Sequence, residues 1–467
     1  MESLAYGETL FNRSIEAACD YVSDFMKHLT TDTRYTRGPD GKYHHYQVPC
    51  GRLQVYVTCH MPRDVAGDVT LRIIRRVSVC YTNLIKDGRF RSACEEIAPR
   101  VIKAVIHPSV KCLDFIRDNW HPTLLDYYKD VSGDIMYRAL PLLRDRDIET
   151  LANKCKRIRF LSLGGKRINR SSILNLISRF ECLEELNLSL LRPLSGDELK
   201  EILCWLVGIV PSQKLSAENT GDIPTCTGAS SQANDEALVE EFRRKHPAGR
   251  SEQLKSFGCT DARFEHINLI CKFCNLTSLF LCDVVPSCSL TPLKYLNQLK
   301  NFALVRYLFS NAEELLTALG SQLTCLKLVD VFGTKLTFLS QNCRSVKCLH
   351  LFFSQPVFLI LPDNYRGVYS YLLPVPDFSF VRNFQVYITE RLARRYILSR
   401  FVNVRKLSVV LTGDDTFLLD FLIHRTRLTR LEELYWGCDT LAVFSERGPN
   451  IYKFVTVAGA TLQRIVK

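Results

Sequence analysis

The chain has 467 residues, 46% of them hydrophobic and 24% charged, with 61 Lys and Arg against 49 Asp and Glu for a net charge of +12. These proportions exclude a wholly disordered, collagenous or coiled-coil chain, and the length leaves room for two or three domains or one elongated array. The charge is too dilute for a dedicated nucleic-acid binder, and the longest uncharged apolar stretch, Ile202 to Val210, is too short to span a bilayer.

The N-terminal part, 1–120, reads as mainly helical. From Glu8 to Leu29 apolar residues recur at helical spacing (Phe11, Ile15, Ala18, Cys19, Val22, Phe25, Met26, Leu29), with Arg13, Glu16, Asp20, Asp24 and Lys27 opposite. That is the pattern of an amphipathic helix. Gly38-Pro39-Asp40-Gly41 is a turn signal, and the alternation of Leu53, Val55 and Val57 with polar neighbours predicts a small β-hairpin. Helical spacing returns near Ser92 to Trp120, and residues 121–157 read as a helical cap.

From residue 158 to 467 the chain is repetitive. The pattern apolar-x-x-apolar-x-apolar occurs ten times, starting at Ile158, Leu183, Leu254, Leu276, Leu299, Leu323, Val346, Val381, Val404 and Leu431, with a truncated copy at Leu462. Successive starts lie 25, 71, 22, 23, 24, 23, 35, 23 and 27 residues apart, a regularity that chance spacing would hardly produce. The last two apolar positions are two apart, so one face of a short strand points inward, and the intervening segments have helical spacing. No unit can bury its apolar face alone, so the units stack into a parallel sheet. The 71-residue gap contains 211–250, rich in Ser, Thr, Gly, Asn and charge, which reads as a disordered insertion.

These motifs resemble the leucine-rich repeat, an α/β solenoid with a curved parallel sheet and helices on its convex side. Leu151-x3-Cys155-x2-Ile158 and Leu339-x3-Cys343-x2-Val346 share a finer signature, similar to the cysteine-containing repeats of F-box and Elongin-binding-box substrate receptors of ubiquitin ligases. The resemblance implies a helical element that docks a Skp1-type or Elongin-type adaptor, and through it a cullin. Leu140-Pro141 vaguely follows an F-box start. Ser14-Ile15-x3-Cys19 gives the first half of an Elongin-binding box and Cys112-x3-Ile116 the second, but neither box is complete. The candidate adaptor-binding residues are therefore Ile15, Cys19, Val22 and Met26, on the stripe of the first helix.

The outward strand positions of the repeats are the candidate protein-binding residues: Phe280, Lys327, His350, Phe352, Gln385, Tyr387 and Tyr435. Aromatic anchors with a few polar neighbours have the composition of a protein-binding patch on the concave face. No catalytic motif is present: Gly164-Gly165-Lys166 lacks the upstream glycine of a phosphate loop, and there is no GxSxG, HExxH or HRD. Cys271, Cys274, Cys282 and Cys288, and the group His44, His45, Cys50, Cys59 and His60, superficially offer metal ligands. The first group coincides with repeat positions and the second lacks finger spacing, so no metal and no cofactor is expected. The basic clusters at Arg72, Arg75 and Arg76, at 154–159, at 391–395 and at 425–430 read as solvated surface, and nucleic acid as an improbable partner. The start, MESLAYGETLF, has neither a basic nor an apolar leader region. With 19 cysteines and no sign of secretion, the expectation is a cytoplasmic, also nuclear, non-enzymatic protein with free thiols.

Overall fold

The computed structural model describes residues 2–31, separate positions between 50 and 105, 112–114, 158–162, 170–188, 194–209, 250–353, 359–360, 378–388, most of 400–411, 430–438 and 464–466, with residue 397. The predicted cap, the Leu140-Pro141 segment and nearly all of the predicted insertion lie outside these described residues.

Twelve strands form one sheet whose spatial order is the chain order, every neighbouring pair parallel. They are β1 (Cys112–Asp114), β2 (Phe160–Ser162), β3 (Glu185–Asn187), β4 (Ser256–Thr260), β5 (Ser278–Cys282), β6 (Asn301–Val305) and β7 (Cys325–Val329). A short β8 (Thr334–Lys335) pairs with β10 (Leu359–Ile360) outside the sheet. The sheet resumes with β9 (Cys348–Phe353), β11 (Asn383–Ile388), β12 (Lys406–Leu411), β13 (Glu433–Cys438) and β14 (Arg464–Val466). From β2 onward every strand of this sheet begins two residues after the first apolar residue of a sequence repeat. The chain is thus an α/β solenoid.

Register is locked at each strand entry. Two successive N–H groups of one repeat share one carbonyl of the repeat before: Thr277 and Ser278 on Lys255, Lys300 and Asn301 on Thr277, Thr324 and Cys325 on Lys300, Lys347 and Cys348 on Thr324. The same device continues with Arg382 and Asn383 on Lys347 and with Arg405 and Lys406 on Arg382. At the other end of four consecutive strands the next residue turns left-handed: Asp261, Asp283, Arg306 and Asp330 have φ of 56, 50, 51 and 48°. Each then donates its N–H to the last carbonyls of the following strand, at 2.7–3.0 Å. Such a backbone state is costly for a side-chain-bearing residue, and its recurrence marks a repeated exit turn. The Arg306 guanidinium pairs with Asp283 there.

One side of the sheet carries the helices. They include α2 (Arg170–Arg179), α3 (Gly196–Val207), α4 (Phe264–Ile270), α5 (Glu313–Leu319) and α6 (Leu336–Asn342), with 3₁₀ turns at Thr291–Tyr295 and Phe309–Asn311. The alternating strand residues Leu279, Leu281, Phe302, Leu304, Leu326, Leu328, Leu349 and Leu351 pack against them, each at most 2% exposed. Helix α3 begins with a reciprocal capping box, Ser195 Oγ accepting from the Glu198 N–H and Glu198 Oε2 from the Ser195 N–H, and ends at left-handed Gly208. His266, fully buried, ties α4 to α3: Nδ1 accepts from the Arg263 N–H at 3.0 Å, so Nε2–H donates to the Gly196 carbonyl at 2.8 Å. Arg250, at the end of the predicted insertion, buries its guanidinium against the carbonyls of Ser178 and Phe180 at the end of α2, where a cation suits the helix C-terminus.

The N-terminal helix is α1 (Glu2–Thr31), in line with its periodicity. Its stripe faces inward: Cys19, Val22, Met26 and Leu29 are buried in the main core with Leu53, Val57, Ile73, Val77, Ile97 and Val101. Of the candidate adaptor-binding residues, Cys19, Val22 and Met26 are thus covered by the chain's own helical segments, and the Ile15 side chain lies outside the described residues. The predicted hairpin is also corrected. Residues 52–55 and 57 are helical, with Leu53 and Val57 buried and Val55 63% exposed. A strand would have put all three on one face, whereas a helix pairs only the residues four apart. Finally, Cys112–Asp114, read as helical and as half of an adaptor box, is β1, paired in register with β2.

Consecutive helices stack closely enough to demand a glycine. A Cβ on Gly320, at the end of α5, would collide with the backbone carbonyls of Asn342 in the next repeat and of Leu316. Gly320→Ala should lower the unfolding free energy by about 1–3 kcal/mol through overpacking, read as a lower urea midpoint, although alanine is the better helix former.

Candidate functional site

The strand residues that alternate with the core positions point away from the helices, and the register aligns them into rows across the sheet. One row runs Ser278, Asn301, Cys325, Cys348, Asn383, Lys406, Glu433. The next runs Gly258, Phe280, Ala303, Lys327, His350, Gln385, Ser408, Tyr435. The third runs Thr260, Cys282, Val305, Val329, Phe352, Tyr387.

Five of the seven residues expected on this face, Phe280, Lys327, His350, Gln385 and Tyr435, fall in the middle row, and Phe352 and Tyr387 in the third. Phe280, Lys327, His350 and Gln385 are half-buried; the Tyr435 backbone is placed in the row, and its side chain lies outside the described residues. Phe352 and Tyr387 differ from expectation: they are 2% and 0% exposed. With Cys282, Val305 and Val329, and with Phe280 packed alongside, they form a second apolar cluster separate from the main core. Burying such a row is the physical answer to an apolar sheet face that would otherwise be costly in water. These two aromatics fill the second cluster.

Polar chemistry gathers beside that cluster. The Cys348 sulfur lies 3.0 Å from His350 Nε2. It also accepts from the Cys325 thiol across the strand pair and from the Asn383 side chain, and these bonds, led by Cys325, hold the Cys348 thiol below its usual range against the effect of burial. Cys325, the donor in that pair, is driven up in turn by that bond and then by burial. The nearest sulfur and nitrogen atoms of Cys325, Cys348 and His350 all lie within 4.8 Å of one another, and among the described residues they form the one cluster of this kind. The Lys327 amine lies 5.5 Å from the centre of the Phe352 ring. Cys271, Cys274, Cys282 and Cys288, weighed as ligands from the sequence, are not brought together: Cys271 donates to the Asn268 carbonyl, Cys274 is exposed, and Cys282 belongs to the apolar cluster. Of the N-terminal group, Cys50 is buried in the main core and the others lie outside the described residues.

The sequence motifs held the signal for this cluster. LTCLKL and VKCLHL are consecutive repeats with cysteine at the same third position, and histidine follows at the fifth of the second. Among the described residues several basic side chains are paired: Arg72 with Glu16 at 3.7 Å, Arg76 with Asp20 at 2.5 Å, and both Arg159 and Lys255 with Glu184. Among the described residues no helix is long and apolar enough to cross a membrane.

No family model and no curated protein matches the chain. Among solved structures it is similar to one described as the crystal structure of the Rad7 and Elc1 complex in yeast, with 13% sequence identity and a TM-score of 0.36, over 77% of this chain and 92% of that one.

Lys327 supplies a test of this face. Its withdrawal from water drives the ammonium down to about 7, opposed in part by the neighbouring Cys325 and Cys348 sulfurs. An unfolded lysine titrates near 10.4. Between those values the unfolded chain holds a proton that the folded chain has released, so this residue makes stability rise with pH across the window and adds a constant penalty below it. Lys327→Met should raise stability most at and below about pH 7 and remove this part of the rise; urea midpoints for both proteins at about pH 6.5 and about pH 9 read the difference.

Proposed function

We propose that the chain is a non-enzymatic binding protein of the leucine-rich-repeat type, holding a protein partner against the face of its sheet opposite the described helices. The observation that carries the reading is the single cross-strand row of Phe280, Lys327, His350, Gln385 and Tyr435. It sets the Phe280 ring among polar side chains, beside the buried row of Phe352 and Tyr387. Interfaces take their affinity from a few such anchors in rigid surroundings.

Within this reading the finer role is substrate recognition for a cullin-RING ubiquitin ligase of SCF-like organisation, motivated by the cysteine-containing repeats and the helical region ahead of them. The chain would make and break no bond; it would act by raising the local concentration of a bound substrate near the ubiquitin-transfer machinery. Because α1 buries its apolar stripe, an adaptor of Skp1 or Elongin type would meet the outer surface of the helical region, where Tyr21 and Val55 are exposed. That same burial favours a second reading, a repeat scaffold with no ligase partner.

Affinity purification of the intact chain separates the two. The receptor reading expects a Skp1-type or Elongin-type adaptor together with a cullin; recovery of neither leaves the scaffold. Phe280→Glu with Gln385→Lys should cost the face its protein partner by about 2 kcal/mol or more while leaving adaptor recovery unchanged. A partner retained at full strength by this double variant would refute binding on this row.

A further inference from the structure

We propose that Cys325, Cys348 and His350 form a binding site for a zinc-type divalent cation on the sheet face opposite the described helices, with no fourth protein ligand among the described residues. The site stands whether or not the same face binds a protein.

Three observations place it there. Cys325 and Cys348 are register partners on adjacent parallel strands, so both sulfurs leave the sheet on the same side. His350 lies two residues beyond Cys348 on the same strand, hence on the same face, and its Nε2 approaches the Cys348 sulfur to 3.0 Å. All three donor atoms lie within 4.8 Å of one another. Zinc bonds of about 2.3 Å to sulfur and about 2.0 Å to nitrogen place tetrahedral ligand atoms about 3.5–3.8 Å apart, so only small rotations are needed. The other ring nitrogen, Nδ1, is buried with no hydrogen-bond partner among the described residues.

The donor set selects the ion. Two thiolates and an imidazole suit zinc, and three protein ligands are the number that leaves room for water or a partner's side chain. Hard oxygen-seeking cations such as calcium and magnesium find no carboxylate in this cluster among the described residues. Binding releases to solvent the thiol protons that the sulfur pair retains, and no oxidation state changes. All three side chains are half-buried rather than sealed in the core. The Lys327 amine lies 5.5 Å from the centre of the Phe352 ring, and the Cys325 and Cys348 sulfurs act on its charge.

The test uses the full chain, reduced, stripped of metal with a chelator and titrated with cobalt(II) alone, then with zinc in competition. The expected result is saturable sulfur-to-cobalt charge transfer with the intense visible bands of tetrahedral cobalt, displaced by zinc. The double variant Cys325→Ser/Cys348→Ser should abolish the signal. His350→Gln should weaken binding at least about tenfold, since even an outer-shell partner of a metal site is worth about that much. Cys274→Ser, an exposed thiol outside the cluster, should change nothing. Should the double variant fail to fold, alkylation of the wild-type chain decides instead: zinc must protect Cys325 and Cys348 but not Cys274. The proposal is overturned by the absence of saturable cobalt binding, by a signal that survives the double variant, or by a Cys325–Cys348 disulfide that, once reduced, yields thiols unable to take up metal.

Discussion

The paired N–H groups that converge on one carbonyl of the preceding repeat hold this molecule in phase. From Lys255 and Ser256 on Glu184 to Glu432 and Glu433 on Arg405, each repeat enters its strand under the same constraint. A slip of one residue at any entry would send the core leucines to the open face and the outward row inward. The rows, the buried aromatic cluster and the thiol pair are all products of this one backbone rule. None of them is specified by contact between the residues that compose it.

The sheet was legible because its apolar spacing is short, frequent and tied to strand starts by a constant two-residue offset. The first strand escaped notice for an instructive reason. Val110-x2-Leu113-x-Phe115 fits the repeat pattern, but it stands 48 residues before the next copy, amid segments of helical spacing. Leu53, Val55 and Val57 show the opposite failure. Three alternating apolar residues satisfy a period of two, while any two of them four apart also satisfy a helix, and only burial separates the cases. The stripe of α1 was visible as a stripe; what it packs against depends on residues 50–105, whose pairing with it no local pattern encodes.

The face was half legible. Period two assigns each residue to a side of the sheet, which is why every expected residue is on one of two rows. It does not say how deeply a side stands in water. Phe352 and Tyr387 look like anchors in the sequence and become filling because Cys282, Val305 and Val329 precede them in the same row. The neighbouring cysteines were passed over because they were judged along the chain, as spacing between ligands. In a solenoid, side chains some 23 residues apart are neighbours and those three apart are not, so metal-like groupings have to be sought across repeats.

Arg250 has a consequence for how the array could vary. The strands on either side of the long gap, β3 and β4, pair as directly as any others, and Arg250 pins the returning chain to the end of α2. The material between is thereby spliced into the stack at a fixed exit and a fixed re-entry. Closing a longer loop costs little, about 0.6 kcal/mol for each doubling of its length. This junction is a natural port: sequence of quite different size and character can be exchanged there while the solenoid on both sides keeps its register.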